Sequence, residues 1–126
     1  MDNWTFCDRD REIADRLRQR LPGRMFDAHA HLLPPRRSGE SRSGLWAEGP
    51  DELSPRVWRK HIGRLIGPER LQGGLLIPSP DPTMTPEDIV RANEYTFRVI
   101  ATDTRLKGLA LVAPAIDAGG WEALLA

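Results

Sequence analysis

Cysteine is almost missing from this chain: Cys7 is the single one in 126 residues, which excludes an internal disulfide framework and any Cys-x-x-Cys metal site. A bound metal would have to be held by histidines and carboxylates. Long apolar runs are missing as well. No stretch approaches the roughly 18 consecutive apolar residues of a membrane span, and the start of the chain is polar and acidic where a signal peptide needs a basic and then an apolar run. The chain is expected to stay in the cytoplasm, away from membranes. Net charge is also lacking, with 18 Lys+Arg against 18 Asp+Glu. Nucleic-acid binding relies on a net basic face, so no nucleic-acid partner is expected. Neither G-x-G-x-x-G nor G-x-x-x-x-G-K-[ST] occurs anywhere, which leaves dinucleotide and P-loop phosphate binding without support. What remains is a 40% hydrophobic chain long enough for one core.

The apolar residues that are present set out an alternating order of elements. Ile13, Leu17 and Leu21 recur every four residues among charges over residues 8–21, which predicts a helix with one apolar stripe, ended by Pro22-Gly23. Residues 25–33 alternate Asp27, His29 and His31 with Phe26, Ala28, Ala30 and Leu32, and read as a first strand. Pro34-Pro35 then opens a loop rich in Arg, Ser and Gly, reaching to about Gly49, with Leu45-Trp46 as its apolar island. Ser54 followed by Pro55 caps a helix carrying Val57, Trp58, Ile62, Leu65 and Ile66, stopped by Gly67-Pro68. Residues 74–77 form an apolar run that suits a buried parallel strand. Thr85, Pro86 and Asp88 announce a capping box and a third helix ending near Asp103. Residues 109–113 predict a third buried strand, and Trp121 to Leu125 start something helical. Strands alternating with helices predict an α/β parallel sheet.

Chemistry concentrates in Asp27-Ala28-His29-Ala30-His31. On a regular strand, positions two apart share a face, so Asp27, His29 and His31 are expected to project together and the two imidazoles to converge on one divalent ion. His61 sits mid-helix beside Trp58, Ile62 and Leu65 and reads as a packing or surface residue. Trp58 and Trp121 read as packing residues too. The arginines of residues 8–21 lie among Asp8, Asp10, Glu12 and Asp15, as in a solvated, salt-bridged helix.

Residues 26–34, Phe-Asp-Ala-His-Ala-His-Leu-Leu-Pro, resemble the first-strand signature of the amidohydrolase-related metal-dependent hydrolases, in particular the branch that includes aminocarboxymuconate-semialdehyde decarboxylase. Residues 74–78, 92–95 and 107–114 are similar to later blocks of that branch, so the resemblance covers about residues 22–126, behind an N-terminal helical extension over 1–21. It implies the N-terminal part of a (β/α)8 TIM barrel with about three parallel strands. It further implies a divalent metal, Zn2+ first, with His29 and His31 as ligands. The chemistry implied is hydrolysis of a C–N, C–O or related bond of a small molecule through a metal-activated water, or nonoxidative decarboxylation. The remaining ligands and the general base are expected beyond residue 126, which leaves this chain alone inactive. Asp27 suits a group orienting an imidazole, or a structural role, better than the base. Arg36, Arg37, Arg42 and Trp46 lie in the loop that would overhang the metal, where an arginine could pair with a substrate carboxylate. The competing reading is a noncatalytic fragment or interaction module whose open sheet edges seek a second copy of the chain or a covering helix.

Overall fold

The computed structural model describes residues 5–39, 47–81 and 83–112. Its elements run α1 (Asp8–Arg18), β1 (Met25–Leu32), α2 (Pro55–Ile66), β2 (Leu71–Pro78), α3 (Pro86–Ile100) and β3 (Leu106–Gly108). The two long helices begin at their caps. Ser54 Oγ accepts the Val57 N–H at 3.4 Å, ahead of proline in the first turn of α2. Thr85 and Asp88 exchange bonds, Asp88 N–H to Thr85 Oγ1 at 3.2 Å and Thr85 N–H to Asp88 Oδ2 at 3.0 Å, which satisfies two otherwise orphaned donors. Gly67 ends α2 with φ at 96°, a conformation that a side chain would resist.

The first helix is shorter than its sequence pattern and turns a different face inward. Ile13 and Leu17 are 40% and 43% exposed, while Ala14 is buried at 1%. A small residue lets α1 approach α2, and the Arg18 guanidinium donates to the Arg64 carbonyl to tie the two helices together.

The three strands are parallel and lie in chain order β1-β2-β3. This order is common to a stretch of barrel and to one half of a doubly wound sheet. Ala30 and Leu32 of β1, Trp58 of α2, Leu76 of β2, Tyr95 of α3 and Leu106 of β3 make the core between the sheet and the two long helices. The other sheet face is more open, with Phe26 52% exposed and Leu75 and Ile77 half-buried. The strands expected to be buried on both sides are therefore covered on one side by the described residues.

The third strand lies earlier than expected and is shorter. Residues 109–113 are not its body: β3 pairs through Leu106, Lys107 and Gly108, opposite Gly74, Leu75 and Leu76. Leu109 still donates its N–H to the Leu76 carbonyl at 3.1 Å. The next ladder bond in a parallel pair would come from residue 78, and Pro78 has no N–H to give. Past this point Leu109 and Val112 are 47% and 72% exposed. Leu111 instead exchanges two bonds with the fully buried Asn93 of α3, at 2.8 and 3.0 Å. Residue 113 and the expected Trp121 helix lie outside the described residues. No helix among the described residues is long and apolar enough to cross a membrane.

Candidate metal centre

The first strand is not regular where its chemistry sits. Between the Asp27–Gly74 and Ala30–Leu76 pairs, two residues of β1, Ala28 and His29, stand against one of β2, Leu75. This bulge breaks the alternation. Asp27 stays on the α2 side, opposite Gly74, and Ala30 returns to that side to enter the core. His29 and His31 flank Ala30 and come together: their Nε2 atoms are 3.1 Å apart and their rings meet edge-on at 69°. The inserted residue interrupts the alternation between Asp27 and the pair, yet Asp27, His29 and His31 all border one cavity beside α2.

The Asp27 carboxylate has two partners. Oδ2 accepts from Trp58 Nε1 at 2.8 Å, and Oδ1 accepts the backbone N–H of His29 at 3.1 Å. It reaches the histidine pair through the main chain. The indole in turn lies over Gly74, where a Cβ would stand 2.6 Å from Cζ2. A side chain at 74 would deny Trp58 its place.

The histidine pair borders a cavity of about 230 Å3, walled by Leu53, Val57, Trp58 and Ile62 together with His61. His61, which the sequence presents as a packing or surface residue, lines this space. Its spacing from Val57 and Trp58, four and three residues along one helix, is the signal that puts them on one face. Among the described residues no three His, Cys, Asp or Glu side chains are grouped to hold a metal ion, so His61 shares the cavity without completing a ligand set.

As neutral rings, the two histidines meet through one N–H and one lone pair. The same separation suits chelation. Two nitrogens each about 2.0–2.1 Å from one Zn2+ and 3.1 Å from each other subtend about 98° at the ion, near tetrahedral. The donors fit one half of a zinc site.

The loop arginines are engaged elsewhere. Arg36 donates its backbone N–H to the Asp51 carbonyl at 3.0 Å, and its guanidinium lies 3.8 Å from the Asp51 carboxylate. Arg37 lies 3.9 Å from Glu87. Arg42 and Trp46 lie outside the described residues. The ends of the loop are fixed by an isolated antiparallel bridge between Leu33 and Leu53. Comparison of the chain with protein-family models, curated proteins and solved structures finds no match.

Proposed function

We propose that this chain carries the first-strand half of the metal centre of an amidohydrolase-type hydrolase, acting in the cytoplasm on a C–N, C–O or related bond of a small molecule. One observation carries the proposal: His29 and His31 present their Nε2 atoms 3.1 Å apart near the C-terminal end of a parallel strand. That is the end where parallel α/β proteins keep their chemistry. The likeness of residues 26–34 to the amidohydrolase first strand adds to it. Zn2+, when bound, supplies Lewis acidity and brings the pKa of a water toward neutrality.

The side chains of this chain have narrower tasks. His29 and His31 offer neutral imidazole lone pairs from one edge. Asp27 fixes the backbone amide between them and α2. Leu53, Val57 and Ile62 give the cavity beside the pair an apolar wall. The remaining ligands and the general base come from outside the described residues.

Calorimetric titration of the whole chain with zinc chloride tests this. One-to-one binding, weaker than that of a complete four-ligand site, should vanish in both His29→Ala and His31→Ala while their thermal melts stay close to the parent. Failure of the parent chain to bind zinc, or tight binding that survives His29→Ala, would overturn the proposal.

A further inference from the structure

A strand bulge that presents two ligands is useful only if it is held in one conformation, and the chain of contacts behind this one is continuous. It begins on α2. The Trp58 ring lies over Gly74, the residue of β2 that pairs with Asp27 at the start of the bulge. Trp58 Nε1 donates to Asp27 Oδ2 at 2.8 Å. The other oxygen of that carboxylate accepts the His29 N–H at 3.1 Å, within the bulge. The imidazole of His29 then meets that of His31 at 3.1 Å. Trp58 is itself 5% exposed, and the Arg59 guanidinium lies 5.8 Å from its ring centroid, so it has little room to move.

We propose that Trp58 is a positioning residue for the histidine pair, acting through the Asp27 carboxylate on the backbone of His29. It never touches the ligand nitrogens. An indole is suited to this task because its one N–H is a donor only and its ring cannot rotate away from Gly74 without leaving the core. A carboxylate is suited because it can accept from the indole and from the amide at once. An amide at residue 27 has a single carbonyl oxygen and must give up one of the two. The inference rests on the metal-site reading for its functional meaning, and its geometry can be measured without a metal.

The experiment uses the whole chain, with Zn2+ as the probe. Trp58→Phe keeps a ring over Gly74 and removes the N–H. Its zinc affinity should fall about tenfold, as is usual when a group behind a metal ligand is lost, while its thermal midpoint moves little. Asp27→Asn should give a loss of similar size, and combining the two should add little, because both break one path. Without zinc, imidazole carbon and proton NMR shifts of His29 and His31 should change in Asp27→Asn, which leaves the indole and its ring current in place, as well as in Trp58→Phe; a packing role for Trp58 would not produce the first. Unchanged affinity and unchanged imidazole shifts in Trp58→Phe would overturn the inference. If that variant does not fold, Asp27→Asn gives the same two readouts, and no change in either overturns it equally. A parent chain that binds no zinc but whose imidazole shifts respond to Trp58→Phe would sink the metal site and leave the positioning path standing.

Discussion

Replacing Gly74 by alanine sets two parts of the molecule against each other, and the size of the conflict follows from distances. The new methyl would stand 2.6 Å from Cζ2 and 2.8 Å from Cη2 of Trp58. Nonbonded carbons prefer about 3.5–4.0 Å, so the indole must retreat by about 1 Å. It is tethered while it does so, since Nε1 lies 2.8 Å from Asp27 Oδ2. A retreat of about 1 Å along the bond takes that contact past the limit of a hydrogen bond. Overpacking costs about 1–3 kcal/mol. Losing a bond to a charged acceptor costs about 1.5–3 kcal/mol when buried, and less at this partly buried site. Removing a glycine from a strand returns about 0.5–1 kcal/mol. The net expectation is a loss of about 2–3 kcal/mol, a large fraction of the ~5–15 kcal/mol that holds an ordinary domain together.

Urea unfolding followed by far-UV circular dichroism reads this directly, and a double-mutant cycle assigns it. Trp58→Leu removes the ring edge that the methyl would strike. In that background Gly74→Ala should cost no more than about 0.5 kcal/mol, for a coupling of about 2 kcal/mol. Additive losses would refute the reasoning, because they would place the strain somewhere other than the indole. Gly73 is the control. A Cβ there would strike the Arg105 carbonyl oxygen and stand 3.1 Å from the Phe26 ring. Main chain cannot step aside as a side chain does, so Phe26→Ala should not rescue Gly73→Ala.

Asn93→Leu should cost about 1–2 kcal/mol, because it strips the Leu111 N–H and C=O of their partners at a part-buried site. Amide hydrogen exchange at Leu111 should speed up with it, and an unchanged rate would show that the segment after β3 is held by something else. Tyr95 governs the alkaline limb. Burial first, with Glu52 adding and Arg98 opposing, pushes its hydroxyl up to about 12 from the ordinary 10.0. The unfolded chain therefore ionises first, so the contribution is intact below about pH 10 and is lost as pH rises toward 12. Chemical denaturation between these limits should show falling stability in the parent and a flatter profile in Tyr95→Phe; identical profiles would remove Tyr95 as the cause.

Local signals in the sequence were reliable where a single residue type settles the outcome. Ser54 with Pro55, Thr85 with Asp88, and Gly67 each mark helix ends that lie within a residue or so of the observed ones. Signals that need knowledge of the neighbouring strand were weaker. Nothing in residues 25–33 signals that two of them, Ala28 and His29, stand against Leu75 alone, so the bulge is not legible in the strand's own sequence. The third strand was misplaced for a related reason. The apolar run at 109–113 looks more like a strand than Leu106-Lys107-Gly108, but the partner's Pro78 ends the ladder before that run can use it. On α1, stripe periodicity pointed to Ile13 and Leu17, whereas close helix approach selected Ala14. Asn93, 0% exposed, is not legible as buried because a polar residue carries no burial signal until its partners, here the Leu111 N–H and C=O, are known.

The paired bonds between Leu33 and Leu53, at 3.3 and 3.0 Å, sit directly after the histidine strand and directly before the cap of α2. The chain between those two leucines is closed into a ring at this clasp, and the Arg36 N–H bond to the Asp51 carbonyl reinforces the closure. The entropy of such a closed ring grows only with the logarithm of its length, about 0.6 kcal/mol for each doubling. Insertions, deletions or wholesale exchange of the ring's contents would thus leave the clasp and the imidazoles behind it in place. Such a ring is a cassette: descendants of this fold could change its contents, one substitution or one graft at a time, without redrawing the histidine pair.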